Sequence, residues 1–124
     1  MDTLTAIATR RSTRVYKPEQ ISDSQLQTVL AAGWASPVGH GAYDELYISV
    51  VQNSKILENF AEYCGQAFGT NIQSVLRRPT LIVISAKPKD DGQMVYIADV
   101  GCILEICNWL LLISALVQFI FGLF

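Results

Sequence analysis

The apolar positions of this 124-residue chain follow a helical rhythm near its start. Leu4, Ile7 and Ala8 lie three and four residues apart, which predicts a short helix over Leu4–Arg10 with these side chains on one face. A capping-box pattern, Ser22-Asp23-Ser24-Gln25, begins a second helix. The serine hydroxyl and the glutamine side chain of such a box each bond a backbone N–H that the helix itself leaves unpaired.

Two strand patterns and two further helices complete the chain. Leu46–Val51 is rich in β-branched residues and predicts a strand, after which Asn53-Ser54 caps a third helix. Thr80–Ala86 predicts a second, mostly apolar strand, and from Met94 the pattern is helical to the end of the sequence. This order predicts an α+β fold, layered as in α/β proteins, with the strands buried between helices.

The last part of the chain carries no charge. Glu105 is the final charged residue, so Ile106–Phe124 is an uncharged run of 19 residues. It contributes much of the apolar excess of a chain that is 51% hydrophobic and only 16% charged. The length is that of one small domain, which we divide into residues 1–105, of ordinary soluble composition, and the apolar run 106–124.

The apolar run allows two interpretations from its composition. About 20 apolar residues span a bilayer core, so residues 106–124 suit a tail-anchored membrane or interaction protein. Asn108, Gln118 and the lack of flanking Lys or Arg count against a membrane anchor. A buried helix is the other interpretation.

The charged residues exclude one class of function and indicate a local site. Nine Lys and Arg residues against eleven Asp and Glu give a net charge of −2, which argues against nucleic-acid binding. The segment Arg10-Arg11-Ser12-Thr13-Arg14 is locally basic, and guanidinium groups match phosphate oxygens in pairs. It suits a phosphorylated ligand, with a solvated basic turn as the alternative.

A second candidate site is the loop Ala35–Tyr43. Its glycines permit close backbone approach, and His40 and Tyr43 have rings that can stack on or hydrogen-bond a planar ligand. A connector with a surface histidine is the alternative. His40 is the one histidine, so the sequence assigns no catalytic triad and no catalytic residue.

Cysteine usage and the chain start indicate a cytoplasmic protein. The three cysteines form no C-x-x-C pair, which argues against a disulfide framework and a zinc site. We expect them to be reduced and expect no metal. The first residues lack the basic and apolar regions of a signal peptide.

Several segments together resemble the nitroreductase family of flavoproteins. Each would be a weak signal alone, but the arginine-serine segment and the proline-containing loop are fairly specific at this spacing. The similarity covers roughly Leu4–Glu105. Its segments are Ala6–Arg14, Ala35-Ser36-Pro37, Leu46–Val51, Thr80–Ala86 and Ala98–Glu105, the last two resembling the family's central strand and the start of its long core helix.

The resemblance implies a nitroreductase-like sheet flanked by helices and an FMN-dependent oxidoreductase. It further implies a homodimer with flavin at the subunit interface, NAD(P)H as hydride donor, and a small-molecule acceptor such as a nitroaromatic or quinone. The protein would supply binding, orientation and electrostatics to the flavin's chemistry.

The resemblance also implies roles for particular residues. Those matching the family's contacts to the flavin phosphate, ribityl chain and ring edge are Arg10, Arg11, Ser12 and Arg14. Those matching the loop that reaches the flavin from the partner subunit are Ser36, Pro37, Val38 and His40. Many members continue this loop as Asn-x-Gln-Pro-Trp, whereas here it reads His40-Gly41-Ala42-Tyr43-Asp44.

The family's continuation after its core helix is not visible in this sequence, so the implied fold is incomplete at the C-terminus. A family-like Leu-Gly-Ser-Val-Tyr-Ile-Trp-Gly, written CTT GGT TCA GTT TAT ATT TGG GG, becomes Leu-Val-Gln-Phe-Ile-Phe-Gly when read one base later. That is Leu116–Gly122. We hypothesise a frameshift near Glu105–Asn108 that replaced the native continuation. Loss of that part would expose core surface, which leaves retained activity open.

Overall fold

The computed structural model describes residues 2–10, 19–68, 79–88, 94–113 and 119–123, along which two helices are followed by alternating strands and helices. Two short 3-10 turns, Gly39–Gly41 and Tyr43–Glu45, precede the first strand. The predicted α+β class is confirmed. In chain order the elements are α1 (Thr3–Thr9), α2 (Asp23–Trp34), β1 (Leu46–Val51), α3 (Ser54–Phe68), β2 (Leu81–Ala86), α4 (Val95–Ile113) and β3 (Phe119–Leu123).

Side-chain caps start α2 and α3 where the sequence predicts them. The Gln25 N–H donates to Ser22 Oγ at 3.3 Å, and the Ser22 N–H donates to Gln25 Oε1 at 2.8 Å, which completes the capping box. The Ile56 N–H donates to Asn53 Oδ1 at 3.1 Å. Each cap satisfies an N–H that has no partner within its helix.

The strand β2 lies between β1 and β3 in the sheet. β1 runs antiparallel to β2, with Leu46 opposite Ala86 and Val51 opposite Leu81. β3 runs parallel to β2, and Leu81 is also opposite Phe119. Parallel neighbours need a crossover connection, and the segment between these two strands contains α4.

The apolar core joins β2 to α2 and α4. Ile82 of β2 and Ile103 of α4 are fully buried in one cluster. α2 approaches α4 closely at Gly33, where an added Cβ would lie only 2.8 Å from Cys107 Sγ. The lack of a side chain at Gly33 therefore sets how near the two helices lie.

The predicted helix α1 is present, but the face that carries Leu4 and Ile7 is not the one that meets the core. Ala6 is buried, whereas Leu4 is 78% exposed and Ile7 is 46% exposed. α1 contacts α4, and its one buried residue is small, so the short helix lies close to its neighbour while its larger side chains face outward. Local spacing predicted a helix here but not which side would meet the core.

The prediction that the chain stays helical to its end was wrong. α4 ends at Ile113, and Phe119–Leu123 forms β3 instead. Aromatic and β-branched residues favour strands, and pairing with β2 holds β3 in the sheet. The spacing of apolar residues along the chain gives no information about such pairing with a distant strand. α4 itself continues past residue 105 and buries Cys107 and Leu111, as the buried-helix interpretation expects. Among the described residues, no helix has both the length and the apolar character needed to cross a membrane.

Candidate functional site

Arg10 follows the last residue of α1 and is exposed. Asp2 caps the start of this helix by accepting hydrogen bonds from the Thr5 hydroxyl at 2.6 Å and the Thr5 N–H at 3.0 Å. These bonds hold the pKa of Asp2 below its ordinary value, the hydroxyl having the larger effect. The helix that begins at this cap ends with the Arg10 guanidinium at the surface, close to α4.

The Arg10 guanidinium has a weak acidic partner on α4. Its Nε lies 3.9 Å from Glu105 Oε1, and the two side chains are 50% and 45% exposed. Exposed ion pairs contribute about 0–1 kcal/mol, so an anionic ligand can compete with Glu105 for this guanidinium. Glu105 also accepts a hydrogen bond from the Trp109 indole N–H, one turn further along α4.

The other residues predicted to contact the phosphate side of a flavin lie outside the described residues. They are Arg11, Ser12 and Arg14. Their assignment stays a prediction, and Arg10 is the member of this group whose surroundings the structure gives.

The loop after α2 is folded back on itself at Ser36. The Ser36 N–H donates to the Gly33 carbonyl at 3.1 Å, and the Tyr43 hydroxyl donates to the Ser36 carbonyl at 3.0 Å. The Ser36 side chain has no exposed surface, and its Oγ has no hydrogen-bond partner among the described residues. The hydroxyl is therefore enclosed by its own chain, and the loop presents other groups outward.

Pro37, Val38 and His40 have different surroundings within this loop. Pro37 and His40 are exposed, whereas Val38 is half-buried and packs against the core. His40 has φ 56° and Gly41 has φ 66°, so two successive residues adopt the left-handed conformation. For a residue with a side chain this conformation costs roughly 1–2 kcal/mol, which the surrounding contacts must offset.

A hydrogen bond joins the loop to α4. The Gly39 N–H donates to Asp99 Oδ1 at 2.8 Å, and Asp99 is buried. The loop backbone comes so close to α4 that an added Cβ at Gly39 would lie 2.3 Å from Val95 Cγ1. The loop and Arg10 thus contact the same helix at Asp99 and Glu105, six residues apart.

Sequence reasoning did not single out Asp99 as a site residue. A signal was present, because Asp99 and Glu105 are the charged residues in the otherwise apolar or uncharged helix Val95–Ile113. A buried carboxylate needs a donor, so an acid among the apolar residues of a core helix indicates a specific partner. Only the fold shows that the partner is the backbone of a loop 60 residues away.

The cysteines form no metal or disulfide site in the part of the chain that the structure describes. No cluster of His, Cys, Asp or Glu there could hold a metal ion, and all three cysteines are free. Burial raises the pKa of the Cys107 thiol to about 11. Its Sγ lies 3.6 Å from the Val29 carbonyl, to which it donates a weak hydrogen bond.

The sequence profile of the nitroreductase family matches residues 7–105. The chain belongs to the nitroreductase family.

Solved structures of this fold come from several bacteria. A nitroreductase family protein from Clostridium novyi NT is 19% identical with a TM-score of 0.79, over 92% of this chain and 65% of that one. A nitroreductase with bound FMN from Bacteroides fragilis NCTC 9343 is 24% identical with a TM-score of 0.73, over 92% and 66%. An FMN-dependent nitroreductase from Clostridium difficile R20291 is 26% identical with a TM-score of 0.75, over 90% and 56%.

The chain spans less than two thirds of the length of these solved relatives. Comparison with curated proteins found no match.

Proposed function

We propose that this chain binds FMN and acts as a flavin-dependent oxidoreductase. The observation that carries the proposal is the family match over residues 7–105, which includes both candidate segments. When bound, FMN would supply hydride acceptance and electron transfer, and the protein would bind and orient it. NAD(P)H is the proposed hydride donor, and a nitroaromatic, quinone or similar small molecule the proposed acceptor.

The described residues fit a phosphorylated flavin through Arg10. Its guanidinium is half exposed and is opposed only weakly by Glu105, at 3.9 Å. Guanidinium groups bind phosphate oxygens through paired, charge-assisted hydrogen bonds. The proposed role of Arg10 is to hold the flavin phosphate, with Arg11, Ser12 and Arg14 completing that group of contacts.

The loop would contribute its exposed groups. The Ser36 hydroxyl is enclosed by the chain itself, so we propose that Ser36 shapes the loop through its backbone bonds. Pro37 and His40 are the exposed members of the predicted set, and Val38 anchors the loop to the core. In a homodimer, as the family resemblance implies, these loop residues would meet a flavin held by Arg10 of the other copy.

The test compares FMN binding by the wild type and by Arg10→Ala. Removing one charge-assisted contact should weaken binding by about 1.5–3 kcal/mol, or roughly 10- to 150-fold, measured by quenching of flavin fluorescence. Lys55→Ala is the matched control, since it also removes an exposed positive charge, on α3. Equal FMN affinities for all three proteins would refute the role of Arg10. Equal losses of FMN affinity in the two variants would show a general effect of positive charge and not a contact made by Arg10.

We also propose that residues 106–124 derive from a shifted reading frame of a family-like gene. The shifted codons give Leu-Val-Gln-Phe-Ile-Phe-Gly, which is Leu116–Gly122. Both readings of that stretch are rich in aromatic and β-branched residues, which is consistent with a strand at Phe119–Leu123 in either case. Sequencing the gene tests this, and a gene with no family-like frame overlapping the region would contradict it.

A further inference from the structure

The loop and the core helix meet at a backbone amide and a buried carboxylate. The Gly39 N–H lies 2.8 Å from Asp99 Oδ1, in a contact between residues 60 apart in sequence. Asp99 is 8% exposed, so this hydrogen bond is shielded from water. Hydrogen bonds to charged groups are stronger than neutral ones, and shielding strengthens them further.

Gly39 is the residue that lets the loop come this close. A Cβ there would lie 2.3 Å from Val95 Cγ1, a branch of a short side chain with little freedom to move away. The contact therefore needs two features at once, a residue without a side chain at Gly39 and an acceptor at Asp99. A residue with a side chain at Gly39 would push the loop away from α4, and an apolar residue at Asp99 would leave the Gly39 N–H without this acceptor.

The residue after Gly39 is the one that this contact constrains most directly. His40 adopts a left-handed conformation, and so does Gly41. The Gly41 N–H donates to the Val38 carbonyl and the Ala42 N–H to the Gly39 carbonyl, so these bonds close turns within the loop. The bond to Asp99 attaches those turns to α4 and fixes where the exposed His40 lies relative to the core.

We infer that Asp99 is a positioning residue, which holds the loop through Gly39 so that His40 is presented in one orientation at the flavin-binding face. This inference rests on the proposed function for the ligand that the loop meets. The attachment of the loop to Asp99 can be tested with no flavin present. Asp99 itself would touch the Gly39 amide and not the ligand.

The experiment measures amide hydrogen exchange at Gly39 by NMR in the wild type, Asp99→Ala and Asp99→Asn. Loss of a bond to a charged acceptor should speed exchange at Gly39 about 10- to 150-fold in Asp99→Ala. Asp99→Asn keeps a side-chain carbonyl oxygen and should restore most of the protection. Asp44→Ala is the control, because it removes an exposed carboxylate close to the same loop and should leave Gly39 unchanged.

Three results of the exchange experiment would overturn the inference. They are an unprotected Gly39 amide in the wild type, unchanged exchange in Asp99→Ala, and an equal increase in Asp44→Ala. If Asp99→Ala does not fold, Asp99→Leu, which also lacks an acceptor but is close to Asp in size, replaces it in the exchange measurement, with the same expected increase at Gly39 and the same contradicting result.

FMN titration of the same proteins tests the link to the ligand. A released loop must be ordered again on binding, so Asp99→Ala should weaken FMN binding about 2- to 10-fold, and Asp99→Asn should recover it. A faster Gly39 exchange with unchanged FMN affinity would overturn the positioning role while leaving the proposed function intact. A wild type that binds no FMN would refute the proposed function, and Gly39 exchange alone would then decide whether Asp99 holds the loop.

Discussion

Replacing Gly33 with alanine should force α2 away from α4. The added Cβ would lie 2.8 Å from Cys107 Sγ and 3.3 Å from both Ile103 Cγ2 and Ile48 Cδ1. Overpacking of this kind costs about 1–3 kcal/mol, whereas alanine in place of glycine favours a helix by about 1 kcal/mol at most. We expect Gly33→Ala to lose roughly 1 kcal/mol of unfolding free energy.

Urea unfolding followed by far-UV circular dichroism measures this loss. At a slope of about 2 kcal/mol per molar urea, the midpoint should fall by roughly 0.5 M. Cys107→Ala removes the atom that the new Cβ would meet most closely, so the double variant should be more stable than the sum of the two single effects by about 0.5–3 kcal/mol. Gly101→Ala is the control, because a Cβ there has open space on α4.

A coupling near zero would refute this account of the core. It would mean that Cys107, which lies within the apolar run 106–124, does not pack against Gly33 in solution. A Gly33→Ala protein as stable as Gly101→Ala would contradict the packing in the same way. The cycle therefore also tests whether the first part of the apolar run belongs to the folded core.

Three further predictions concern a helix cap and a buried thiol. Ser22→Ala removes one acceptor of the capping box on α2 and should lower the unfolding free energy by about 0.5–2 kcal/mol in the same urea assay, and an unchanged midpoint would contradict the cap. Burial raises the pKa of Cys107 from 9.0 to about 11, so alkylation by iodoacetamide at pH 8, read by mass spectrometry, should be slower at Cys107 than at the half-buried Cys102. In the unfolded chain the Cys107 thiol loses its proton at a lower pH than in the folded chain. The free energy of unfolding should therefore fall as the pH rises from 9 towards 11, and the fall should be smaller in Cys107→Ala.

Local signals predicted the elements that are set by neighbouring residues. The Ser22 capping box and the β-branched strand Leu46–Val51 lie where the sequence indicates, because a cap and a strand preference depend on residues adjacent in the chain. The second strand begins at Leu81, one residue later than predicted. The family resemblance predicted the fold class and is confirmed by the match over residues 7–105.

Features that depend on distant contacts were not predictable in the same way. The strand Phe119–Leu123 is held by β2, so its apolar residues could equally have continued a helix when viewed alone. α1 meets the core through Ala6 because of its orientation on α4, and the spacing of apolar residues within α1 does not predict that orientation. The role of Asp99 depends on the loop reaching it from 60 residues away. For the candidate site, the sequence indicated Arg10 and the loop, and the fold added their shared attachment to α4.

The most direct test of the central claim is gel filtration of the purified chain after incubation with FMN, with detection at both protein and flavin wavelengths. Flavin absorbance that elutes with the protein, at the mass of two chains and with one FMN per chain, is the predicted result. Flavin that elutes only at the position of free FMN, from protein that is folded by circular dichroism, would contradict the claim that this member of the nitroreductase family binds FMN.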